Sequence, residues 1–180
     1  MSADNARTYG YYAVSHWFHV AIIFLLLSAL GLWLLSALED AKERAERLGV
    51  ELTIRHMRTG LLYAMGEALM RQSEHEIHSW VGSNPIRWLA ASPSGYLGVC
   101  SSTQRLNLVG GEWCFDNERK ELVYQPLHVA HLHQGGVDTG EPCAQLSWRV
   151  ASLPGAEQSG QVVGVRIESA SACGWALQGA

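Results

Sequence analysis

One stretch limits what this chain can become. From Thr8 to Leu38 there is no Asp, Glu, Lys or Arg, and Val20 to Leu38 is almost wholly apolar. In hydrocarbon every backbone N–H and C=O of such a run must be paired within the segment, and a helix does that. Its most apolar core, about 19 residues rising about 1.5 Å each, matches a hydrocarbon layer of about 30 Å. Tyr11, Tyr12, Trp17 and Phe18 suit one membrane interface and Trp33 the other. The run is longer than the apolar core of a signal peptide, and Glu39 and Asp40 follow it closely. A retained transmembrane helix over residues 17–38 is therefore expected, after a short cytoplasmic segment, 1–16.

The flanking charges and the cysteines argue for opposite orientations. Arg7 is the only basic side chain before the span, whereas Lys42, Arg44, Arg47, Arg55 and Arg58 follow it. A count of positive charges places the C-terminal side in the cytoplasm. However, long following domains cross largely regardless of charge. Cys100, Cys114, Cys143 and Cys173 all lie beyond the span, and none forms a CxxC pair. An even set of spaced cysteines suits disulfides in an oxidising compartment. The expectation is N-terminus inside and C-terminal head outside, on the oxidising side of the membrane.

Residues 39–80 read as an amphipathic helical stalk that continues the membrane helix to Ser79. Leu48, Leu52, Leu62, Met65 and Leu69 supply its apolar stripe, and Leu61 is also expected in the core. Glu43 with Arg47, and Glu51 with Arg55, sit at the i,i+4 spacing of an exposed helix. Gly49, Gly60 and Gly66 weaken it locally. Thr59–Met70 is its most apolar part and is expected to carry the head. The stalk ends near Gly82, and Pro85 opens a short helix over 85–90, capped by Ser83 or Asn84.

Residues 81–180 read as a small antiparallel β head. Strands are expected at 96–100, 112–116, 121–126, 144–151 and 160–168, with an irregular stretch from His128 to Pro142. One sheet face is to cover the helix and the other to meet water. A hairpin centred near Asn107 sets Cys100 opposite Cys114. A second, centred near Glu157, brings Cys143 to Cys173. Those pairs are one of three possible connectivities. The fold class is thus α+β, a long transmembrane-plus-amphipathic helix packed on a small antiparallel sheet.

That layout resembles the type IV pilin and type II secretion pseudopilin fold. More locally, Ser83–Leu89 (SNPIRWL), Gly95–Tyr96, Gly111–Asp116 (GEWCFD) and Leu122–Pro126 (LVYQP) resemble the F-type accessory proteins of MSHA (mannose-sensitive haemagglutinin) pilus biogenesis. The resemblance implies a pilin-like component of a pilus or secretion machine that works by protein–protein contact. Gly10 imitates the leader junction of a prepilin, but Ser15 stands where a processed pilin has Glu. That departure fits a protein that assists assembly, or a non-standard minor subunit.

Chemistry is sparse. Hydrolase, zincin, phosphate-loop and dinucleotide motifs are missing from the sequence. No enzymatic activity and no cofactor are expected. His128, His131 and His133 form HxxHxH, the best metal-ligand spacing, with Asp138 and Glu141 beyond. Without a second His or Cys cluster they read as a polar surface loop rather than a metal site. His75 and His78 read as a solvated helix end. His16 and His19 lie at the membrane edge, with partner contact or proton handling as the functional alternative. Trp113 and Trp148 read as core. A net charge of −4 without a basic patch argues against nucleic acid. Partners are expected along the membrane helix, where Ser28, Ala29 and Gly31 let another helix approach closely, with lipid around it and self-association possible. A membrane-anchored periplasmic sensor or ligand-binding module is the second reading.

Overall fold

A computed structural model describes residues 4–129, 132–136, 141–153 and 164–175, with side chains from Trp17 onward. The chain divides into two compact units, residues 1–44 and 45–180. Helix α1 (Asp4–Met70) contributes to both. The first unit is helical, and from Trp17 to Leu38 every side chain is exposed.

In the second unit α1 is followed by α2 (Glu74–Ser79), a 3-10 turn (Pro85–Trp88), β1 (Tyr96–Cys100), α3 (Ser102–Arg105), β2 (Trp113–Asp116) and β3 (Glu121–Tyr124). Then come β4 (Leu132–Gln134), β5 (Leu146–Ser152), β6 (Val165–Ser169) and β7 (Cys173–Trp175). The main sheet has the order β1-β2-β3-β5-β6, and β4 pairs with β7 in a second, two-stranded sheet. The fold is α+β as expected, with three departures in its parts.

The first departure is the end of the long helix. It stops at Met70 instead of running to Ser79. Gln72 takes a left-handed conformation (φ 56°), Ser73 N–H donates to Ala68 O at 2.9 Å, and Gln72 N–H donates to Leu69 O at 3.1 Å. These bonds form a Schellman stop with glutamine where glycine is usual. The next turn is held by Asn84, whose side chain accepts from Ile86 N–H at 3.1 Å. Pro85 begins a 3-10 turn there, Pro85–Trp88, shorter than the helix expected over 85–90.

The second departure is the buried face of α1. Val50, Ile54, Met57, Leu61 and Ala68 are buried, with Ala64 and Met65 packed beside them. The intervals of three and four residues keep this set on one stripe. Leu48, Leu52, Leu62 and Leu69 are exposed instead. Leu48 and Leu52 each lie two positions from Val50, about 200° around the helix. The stripe packs on Trp113, Phe115, Leu122, Tyr124, Leu146, Val150, Val165 and Ile167 of the sheet. Each fully buried side chain of this size contributes about 1.5–3 kcal/mol.

The third departure is strand direction. β1 and β2 run parallel, with Val99 beside Phe115 and Cys100 beside Asp116, so no hairpin joins them. The intervening segment contains α3, closed by a capping box in which Ser101 and Gln104 exchange side-chain and backbone bonds. It carries the chain back to start β2 in the direction of β1. The sheet is mixed: β2-β3, β3-β5 and β5-β6 are antiparallel. Nor is its second face wholly wet, because Cys100, Cys114 and Val123 form a separate buried cluster with Leu108 against it. The stretch from His128 to Pro142 contains β4, whose partner β7 lay beyond the strands read from the sequence.

Candidate functional site

The apolar run of α1 is long enough to span a membrane, and none of it is buried within the protein. Ser28, Ala29 and Gly31 are all exposed. Ser28 Oγ donates to Phe24 O at 2.8 Å, so its hydroxyl proton is satisfied inside its own helix. Space around Gly31 is open.

Both disulfides have the pairing read from the sequence, although the expected hairpin is replaced in one of them. Cys100–Cys114 joins the parallel neighbours β1 and β2 with Cα atoms 5.8 Å apart. Cys143–Cys173 ties the segment after β4 to β7 with Cα atoms 6.0 Å apart.

Sequence reasoning passed over Glu46. It stands four residues before Val50, on the continuation of the buried stripe, and its side chain is only 7% exposed. Tyr124 Oη donates to Glu46 Oε1 at 2.8 Å and Leu127 N–H donates to the same oxygen at 2.6 Å. His128 Nδ1 lies 3.0 Å from Glu46 Oε2. A charged residue at a stripe position was the available signal. Burial raises the Tyr124 pKa well above its ordinary value, and the Glu46 hydrogen bond and negative charge add to the rise.

This hub accounts for His128, which binds a carboxylate on α1. His133 sits half-buried in β4. His131 and Asp138 lie outside the described residues. Among the described residues no group of three His, Cys, Asp or Glu is placed to hold a metal ion. His75 and His78 are exposed on α2.

A cleft of about 420 Å³ opens between α1 and strands β5 to β7. Arg47, Glu51, Arg55 and Arg58 line one flank, spaced so that they share a side of α1 next to the buried stripe. Val50, Ile54, Leu146 and Trp148 form the apolar part, and Cys173, Gly174 and Trp175 the opposite wall. Trp148 is half-exposed here while its ring stacks on buried Trp113 with centroids 5.8 Å apart. It therefore belongs to both the core and the cleft. Arg47 Nε donates to Glu51 at 3.1 Å, and Arg58 Nε donates to Ile167 O at 3.2 Å.

Comparison with protein-family models, with curated proteins and with solved structures returns no match. The chain's own features define its class. It is an α+β protein with a long, apolar, exposed N-terminal helix and a sheet-bearing unit closed by two disulfides.

Proposed function

We propose that this protein is a non-enzymatic, single-pass inner-membrane component of a type IV pilus of the MSHA kind or of a type II secretion machine. It acts there by protein–protein contact. The observation that carries this reading is the division of labour within α1. Trp17–Leu38 offers an unbroken exposed apolar surface, while Val50–Ala68 serves as the spine of the sheet. One helix serving as anchor and as core is the arrangement expected of a pilin-like subunit. The disulfides favour an oxidising compartment for residues 45–180, hence a cytoplasmic N-terminus and a periplasmic head. With Ser15 where a pilin has Glu, an assisting role in the membrane is favoured over that of a major filament subunit.

Photo-crosslinking residues placed at Ala29 and Gly31 test this in native membranes. Adducts with pilin-like or assembly-platform subunits are expected, and adducts with lipid alone would sink the proposal. The cleft favours a second reading, a membrane-anchored sensor or ligand-binding module, for which crosslinks at these positions are not required.

A further inference from the structure

The cleft on α1 has an uneven complement of donors and acceptors. Three guanidinium groups line it against one carboxylate. Glu51 is engaged by Arg47. Arg58 is anchored through Nε on the Ile167 carbonyl, and its terminal nitrogens make no hydrogen bond or ion pair among the described residues. The Arg55 carbonyl accepts from Thr59 Oγ1 at 3.0 Å, but the Arg55 guanidinium makes no hydrogen bond or ion pair among the described residues. Two cationic groups thus stand beside an apolar floor, while the one carboxylate of the cleft lining, Glu51, is held by Arg47. Trp175 contributes to the far wall. Trp148 and Ile54 add apolar surface between them, and the Cys143–Cys173 bridge ties down one wall. An ordinary solvated row of arginines needs neither the apolar floor nor the anchored guanidinium.

We propose that this cleft is a binding site for an amphiphilic oxyanion. Arg55 and Arg58 hold a carboxylate or phosphate, and Trp148 and Ile54 pack against the apolar body that carries it. A volume of about 420 Å³ falls within the range of small-molecule sites, and guanidinium pairs recognise planar or tetrahedral oxyanions through parallel N–H bonds. The site stands on the geometry of the cleft and does not depend on the assembly role proposed above. The same chemistry is offered by a soluble metabolite and by the headgroup of an anionic phospholipid.

The test uses the full chain in phosphatidylcholine nanodiscs and isothermal titration calorimetry with phenylbutyrate, phenyl phosphate and the uncharged phenylbutanol. The two anions are expected to bind, and the alcohol at least about tenfold more weakly, because it lacks the charge-assisted bonds. Arg55→Gln is expected to weaken anion binding about tenfold without moving the Tm, since the Arg55 guanidinium holds no structural bond. Arg71→Gln, exposed just beyond the end of the same helix, is expected to change neither. Failure of both anions to bind, alcohol binding equal to theirs, or Arg55→Gln binding like wild type would each overturn the site. Repeating the titration in discs containing phosphatidylglycerol assigns the source. Displacement of phenyl phosphate in wild type upholds the site with lipid as its ligand, and an unchanged titration upholds it with a soluble one.

Discussion

Gly60 is placed where the backbone of another segment needs the room. A Cβ there would fall within contact distance of the Trp88 carbonyl oxygen, which is backbone and cannot swing aside. Gly60→Ala is expected to lower stability by about 3 kcal/mol, read as a fall in Tm and in the urea midpoint. The Glu46 hub makes a second prediction at this scale. The Tyr124 pKa is raised in the fold, so as pH climbs past about 10 the unfolded chain loses this proton first. The folded state then binds more protons, and stability falls with rising pH, having been full below that range. Urea unfolding between about pH 9 and about pH 11 checks this: Tyr124→Phe is expected to flatten the decline, and an unaltered slope would refute it. Neither residue stood out in the sequence. Gly60 looked like a helix weakener, and Glu46 was passed over.

Among the elements, α1 shows a periodicity read correctly at Leu61 and Met65 and on the wrong face at Leu48, Leu52, Leu62 and Leu69. Met57 is fully buried and Leu62 is 62% exposed. Met57→Ala is expected to cost about 2–5 kcal/mol and Leu62→Ala no more than about 0.5 kcal/mol, a contrast that parallel chemical denaturation would reveal directly. The stripe of leucines was attractive because leucine is the larger apolar signal. The true stripe mixes Val, Ile, Met, Ala and a single Leu, Leu61, which only the packing partners distinguish. The same holds for β1 and β2. Both strands were expected from the sequence, but their direction depends on α3 between them, whose capping box (Ser101, Gln104) lies in a segment read as loop. The disulfide pair was still legible there, because neighbouring strands bring Cys100 and Cys114 together in either direction.

For the whole molecule, the exposed run from Trp17 to Leu38 dominates solution behaviour. A contiguous apolar surface of that size is stable only in lipid, in detergent or against another apolar surface. The full chain is expected to stay in the membrane pellet after alkaline carbonate extraction, and a chain starting at Ala45 to appear in the soluble fraction. Recovery of the full chain in the supernatant would argue against the membrane reading. The residues that line the cleft all belong to the 45–180 unit, so its ligand chemistry is separable from the anchor.

By itself the sequence determined the α+β class, the apolar helix, most strand positions and both disulfide pairs. These follow from local composition, alternation and chain proximity, all of which are written along the chain. Only the tertiary structure decided which face of α1 is buried, that β1 runs parallel to β2, that Gln72 stops the helix, and that Glu46 and the arginine cleft exist. Each of those depends on residues far apart in sequence meeting in space. Tyr124 reaches Glu46, Trp88 presses on Gly60, and Trp148 and Trp175 face Arg55 and Arg58 across the cleft. No local pattern records such distant contacts, because their energy comes from the partner as much as from the residue.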